Sequence, residues 1–227
     1  MAPNQHPRGN CVFCGREFTR GGLVMHLKAC PKRAAAIAEA DAGRGKLQRI
    51  FHLQVQDAWG GDFWLHLEMN GTATMKALDG YLRDIWLECC GHLSTYYIGQ
   101  AWTGEEVGTG RRAEAVLYPD LRLLHLYDFG TTSETEISVV GSRDGKPLTR
   151  HPIFLMARNN PPDIRCAICG APATQVCTEC MYEEDAPDAF CDEHAETHEC
   201  DPDYLMPIVN SPRVGMCGYT GPAEPPY

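Results

Sequence analysis

Cys11, Cys14, His26 and Cys30 are spaced C-x2-C-x11-H-x3-C. Two thiols separated by two residues fit one tight knuckle, and a His and a Cys one helical turn apart share a face. These four soft ligands suit a tetrahedral zinc ion. Phe18 and Leu23 are the apolar pair that such a minimal core requires. So little burial cannot fold it, and bound zinc has to supply most of its stability. A denser set, C-x2-C-x7-C-x2-C-x10-C-x2-H-x3-H-x-C, runs from Cys166 to Cys200. Its eight ligands make two further sites. Alternating pairs give a cross-brace, with Cys166, Cys169, Cys191 and His194 on one ion and Cys177, Cys180, His198 and Cys200 on the other. Sequential pairing is the alternative. Three structural Zn2+ are expected, and none is catalytic, because each site has four protein ligands and no position left for water.

The remaining groups read more plainly. Cys89 and Cys90 are adjacent at the end of a helical pattern, which suggests one buried thiol and an incidental neighbour. Cys217, in RVGMCGYTG, would act as a nucleophile only with a base brought from elsewhere in the fold. His52, His66, His92 and His125 lie among or beside apolar residues, and structural roles are expected for them in preference to a fourth metal site.

Charge is unevenly spread along the 227 residues, whose formal net charge is −10. Residues 1–56 carry +6, residues 57–160 carry −5 and residues 161–227 carry −11. Residues 179–203 hold eleven Asp and Glu and no Lys or Arg. Three thiolates and a neutral imidazole on Zn2+ leave each site a further net −1. The acidic end is thus expected to meet protein, while Arg16, Arg20, Lys28, Lys32 and Arg33 could meet phosphates or an acidic partner. If the first finger docked in a major groove, Thr19, Gly22 and Met25 would face the bases, and none offers a bidentate donor. Contact with nucleic acid would be non-specific. The polar N-terminus lacks the apolar stretch of a signal peptide and no run is long enough to span a membrane, so a cytoplasmic location, with reduced thiols, is expected.

The elements that would position these ligands fall into five stretches. The finger spans 1–33 and a basic helical linker 34–49. An α+β unit spans 50–160, a two-zinc module 161–203 and an extended Pro/Gly-rich tail 204–227. In the α+β unit, 50–57 and 62–69 read as a hairpin. Residues 74–90 read as a helix, on the spacing of Met75, Leu78, Leu82, Ile85, Trp86 and Cys89, with Gly91 placed to end it. Further strands are expected at 93–99, 121–129, 134–140 and 151–157. The fold class is therefore α+β: an antiparallel sheet covered on one face by one main helix and flanked by zinc modules. In the tail, Leu205, Met206, Ile208 and Val209 are the residues expected to pack on another domain.

HLSTYYIGQ (92–100) and LHLYDFG (124–130), following the helix, resemble the plasmid pRiA4b ORF-three-like family, also described as TnpR-like transposon passengers. The resemblance covers roughly residues 50–158 and implies an α+β fold and an association with mobile elements. Thr131, Ser133 and Thr135 stand where that family usually has Asp, Trp and His. The eight-ligand module is similar in order to B-box and AN-one cross-brace fingers, although its gap at 181–190 is longer. The first finger resembles the single C-C-H-C fingers that bind ubiquitin, but with Lys28 in place of their carboxylate. Asp128-Phe129-Gly130 spells a kinase triplet without the Gly-rich loop, lysine or catalytic loop of a kinase, and reads as a strand ending in a turn. The leading expectation is a non-enzymatic zinc-binding adaptor. The alternatives are an enzyme with a site near His92, His125 and Asp128, or a binder of a ubiquitin-like protein.

Overall fold

The computed structural model describes residues 7–184 and 186–221. The chain forms β1 (Arg8–Cys11), β2 (Glu17–Thr19), α1 (Arg20–Ala29), α2 (Pro31–Ala42), β3 (Gln48–Asp57), β4 (Trp64–Asn70) and α3 (Met75–Leu82). It continues through β5 (Ser94–Ile98), β6 (Glu105–Val107), β7 (Arg122–Tyr127), β8 (Ser133–Gly145) and β9 (Ile153–Asn159). Then come β10 (Gln175–Cys177), β11 (Ala189–Phe190), α4 (Asp192–Ala195) and β12 (Leu205–Pro207). The protein is α+β. Nine strands form one antiparallel sheet in the order β2-β1-β9-β4-β3-β8-β7-β5-β6, and β11-β10-β12 make a small second sheet.

The β3–β4 hairpin is closed by Asp57, whose carboxylate accepts the amides of Gly60, Gly61 and Phe63 at 2.7, 2.8 and 2.8 Å. Alternation along the two strands then sorts side chains onto two faces. Phe51, Leu53, Val55, Leu65, Leu67 and Met69 turn to the side of α3 and pack with Met75, Leu78, Tyr81 and Leu82. The expected single helix over 74–90 is shorter than its periodicity suggested. After Leu82 the chain relaxes into one π-helical turn, Arg83–Leu87, closed by Glu88 N–H donating to Arg83 O at 2.8 Å. The wider turn lets three consecutive residues, Ile85, Trp86 and Leu87, all reach the core, which an α-turn would not.

Coverage on one face only does not hold. Trp64, Met156 and Ala157 form an apolar strip on the other face, and Leu23 and Leu27 of α1 close over it. The finger is also part of the sheet: β1 pairs with β9 from Gly9↔Asn159 to Cys11↔Ala157. Gly9 permits that approach, because a Cβ there would run into the Arg158 carbonyl and the Trp64 ring. The linker stretch is α2, which lies over buried Glu68. Arg33 and Arg143 both reach that carboxylate, at 2.5 and 2.8 Å.

The tail docks by unexpected residues. Leu205, Met206, Ile208 and Val209 are half-buried, whereas Ser211, Arg213 and Tyr219 are fully enclosed. Ser211 Oγ donates to Trp86 O at 2.6 Å, and Asn210 exchanges hydrogen bonds with Asn159. Polar anchoring of this kind leaves no hydrophobic pattern in the sequence.

Candidate metal centres

In the finger, a knuckle between β1 and β2 carries Cys11 and Cys14, with Gly15 N–H donating to Cys11 O at 2.8 Å and Gly15 in the left-handed region at φ 74°. Thr19 caps α1 by accepting from Gly22 N at 3.2 Å. That helix presents His26, whose ring stacks on Phe18 at 4.1 Å. Cys30 is both the end of α1 and the cap of α2, so the amides of Lys32 and Arg33 point at its sulfur. Burial pushes the Cys30 thiol up, but those donors outweigh it and favour the thiolate. Burial lowers the pKa of His26, and Arg16 adds to the effect, leaving the neutral imidazole that a metal needs. The four ligand atoms lie within 4.8 Å of one another.

The C-terminal module interleaves its ligands. Cys166, Cys169, Cys191 and His194 converge, as do Cys177, Cys180, His198 and Cys200. The side chains thus group in the alternating order. β10 and β11 form its frame: Cys177 ends β10, while Cys191 caps α4 and places His194 one turn on. Burial raises the Cys166 thiol, yet amides of Cys191, Cys169 and Ile168 outweigh it and bring it to about 6. Cys180 is pushed up to about 12 by burial and by the neighbouring thiols of Cys177 and Cys200. Without a cation between them, crowded groups of this kind stay protonated. The apolar support is slight: Phe190 and Ala195 are the buried residues of this cluster that are not themselves ligands.

A fourth cluster joins residues that the sequence reading kept apart. Cys89, Cys90, His92 and Cys217 bring their ligand atoms within 4.8 Å of one another. The π-turn delivers Cys89 and Cys90 to the end of α3, and the docked tail brings Cys217 across to them. Neither an incidental neighbour nor an isolated nucleophile describes this arrangement. The missed signal lies in a dipeptide: all four Cys-Gly pairs of the chain, at 14–15, 90–91, 169–170 and 217–218, belong to clusters.

No family model and no curated protein matches the chain. Among solved structures it is similar to a protein of unknown function, MM3350, from Methanosarcina mazei Go1. The identity is 13% and the TM-score 0.41, over 49% of this chain and 68% of that one. No function follows from it.

The histidines separate into two kinds. His92 joins the fourth cluster, whereas His125 is fully buried and its Nε2 bonds Asp79 at 2.8 Å. His92 and Asp128 do meet, at 3.4 Å, so two of the three groups named in the alternative, enzymatic reading share a place. His52 Nε2 and His66 Nδ1 are 2.9 Å apart beneath α1, and His66 Nε2 donates to Arg20 O at 3.1 Å. Asp128 ends a strand in a turn, at φ 65°, and accepts from the amides of Gly130 and Thr131.

Among the basic residues, Arg16, Lys28 and Lys32 are exposed on the finger. Arg20 lines a cavity of about 450 Å³ with Thr19, Asp62 and Trp64. Arg33 leaves the set of free cations, because it is held by Glu68 and by Leu27 O. Met25, one of the base-facing positions, is exposed, and Thr19 is occupied as a cap.

Proposed function

We propose that the protein is a zinc-stabilised adaptor. The observation that carries this reading is the closed geometry of the finger and the cross-brace: each ion would have three thiolates and one imidazole, with no ligand position left for a substrate water. Zinc, a d10 cation without redox chemistry, suits such Cys3His sets better than an oxygen-seeking ion does. In this reading the finger fixes a rigid basic surface, Arg16, Arg20, Lys28 and Lys32, against the sheet. That surface meets the phosphate backbone of nucleic acid without reading bases. The acidic module binds a protein partner. The central sheet is the pRiA4b-like part, and its link to mobile elements belongs to the same proposal. In its support, the two motif segments lie side by side, with Asp128 N–H donating to Leu93 O at 2.9 Å.

Fluorescence anisotropy of random duplex and single-stranded DNA tests the basic surface. The full-length protein is the proper sample, since the finger's apolar face is covered by Trp64 and Met156 and a fragment of residues 1–56 would lose that cover. Binding should weaken steeply with salt, by roughly one log unit in affinity per log unit of salt for each phosphate neutralised. The triple variant R16E/K28E/K32E should lose it. Salt-independent binding, or none, ends the nucleic-acid part and leaves the acidic module as bait for protein partners.

A further inference from the structure

We propose that Cys89, Cys90, His92 and Cys217 form a fourth zinc site, a clasp that ties the tail to the end of α3. Four observations converge on it. The first is distance. Tetrahedral zinc sets neighbouring ligand atoms about 3.8 Å apart for two sulfurs and about 3.6 Å for sulfur and nitrogen. Cys89–Cys90 and Cys90–Cys217 are each 3.6 Å, and His92 Nε2 is 3.4 Å from Cys217 and 2.9 Å from Cys90. In the other sites the corresponding separations include 3.8 Å for Cys169–Cys191 and 3.3 Å for Cys14–His26.

The second is backbone form. Gly15 and Gly170, which follow cysteines of the finger and the cross-brace, adopt φ 74° and 72°. Gly91 and Gly218, which follow Cys90 and Cys217, adopt 78° and 64°. The fourth cluster thus has twice the cysteine followed by a left-handed glycine that the finger and the cross-brace also use. Cys217 itself lies at φ 51°, a conformation that costs a residue with a Cβ and persists only where its surroundings hold it.

The third is accounting by ligand. Each cluster takes three cysteines and one histidine, and the four clusters use all twelve cysteines of the chain. The fourth is support behind the ligands. Arg213, fully buried, donates to Asp128 Oδ2 at 2.6 Å and to Cys89 Sγ at 3.4 Å, and Asp128 Oδ2 is 3.4 Å from His92 Nε2. On binding, Zn2+ displaces three thiol protons and leaves the site at −1, beside the mutually neutralising Arg213–Asp128 pair. Of these contacts, the Arg213 donation to the Cys89 sulfur is the one that reaches a ligand from outside, and such partners orient ligands and tune a metal site.

This site differs from the others in exposure. Cys90 and Cys217 are exposed and none of its four ligands is buried, whereas each of the other three sites buries at least one. Cys217 also borders a groove of about 510 Å³ with Glu179, Tyr182 and Glu183 of the module. The clasp therefore links the position of the acidic module to metal occupancy, and it is the first site to yield its ion.

Zinc content per chain, measured on the full-length protein, tests this through a difference. The Cys217→Ser variant should hold one equivalent fewer than the wild type. An equal content overturns the proposal. The absolute wild-type content reports separately on the other three sites. Should C217S lose more than one equivalent by misfolding, alkylation of the native wild type decides. With zinc bound, Cys90 and Cys217 should resist N-ethylmaleimide despite their exposure. They should become the first cysteines labelled as EDTA is added, with tail proteolysis rising in step. Immediate labelling before chelation, or protection that EDTA does not remove but a reductant does, overturns the clasp; the latter would mean a Cys90–Cys217 disulfide.

Discussion

At the scale of single residues, the histidines show how burial decides a role. His52 and His66 are neutral inside the protein, their pKa values lowered to about 2 and about 4 by burial, with His66 and nearby cations adding to the effect on His52. The unfolded chain takes up these protons near pH 6.5, while the folded chain refuses them until about pH 4 or below. Stability from this pair is therefore full above pH 6.5 and falls with acidification, by about 1.4 kcal/mol per pH unit for each proton. Urea midpoints from pH 7.5 to 5 should fall less steeply in H52Q than in the wild type. Arg213 poses the opposite case, a charge retained inside. Arg213→Met leaves Asp128 buried without its partner and should cost roughly 3–5 kcal/mol in a denaturation midpoint. Nothing in the flanking sequence SPRVGM announces that role, since Asp128 is 85 positions away.

At the scale of elements, the finger gives up independence for rigidity. Its strand β1 needs β9, and its helix α1 needs Trp64. Leu23→Ala should destabilise the protein by about 3 kcal/mol and loosen zinc at the first site, read by chelator competition. Gly9→Ala should do so through the backbone, by forcing β1 away from Arg158 O, and hydrogen exchange of Gly9–Cys11 amides would report it. Six strands, β3, β4, β5, β7, β8 and β9, were legible in the sequence, and so was the turn at 58–61, whereas the short β1, β2 and the three strands of the small sheet were not. β6 was not, because Glu105 and Glu106 are exposed and leave no alternating pattern. The π-turn escaped as well: its residues fit a helical period until Trp86 and Leu87 must both point inward.

For the molecule as a whole, stability is divided between two sources. The central sheet has a large core beneath α3, while among the described residues the C-terminal module buries little beside its ligands, namely Val176, Ala189, Phe190 and Ala195. Removing zinc should therefore unfold the module first. After EDTA, amide exchange should accelerate across residues 163–207, while β3, β4 and β8 keep their protection. Loss of protection in both at once would mean that the sheet also depends on metal.

What the amino-acid sequence determined by itself is local and periodic: two ligand sets with short, fixed spacings, the alternation of β3 and β4, the charge that shifts from basic to acidic along the chain. Ligand chemistry acts over a few residues, so spacing alone exposes it. What only the tertiary structure decided is non-local. The docking of α1 on Trp64, the inward turn of Arg33 to Glu68, and the meeting of Cys217 with Cys89, Cys90 and His92 each join residues separated by tens of positions or more. Those contacts come from assembling a nine-stranded sheet and folding a polar tail back onto it, and no periodicity in the chain encodes which distant residues such an assembly will bring together.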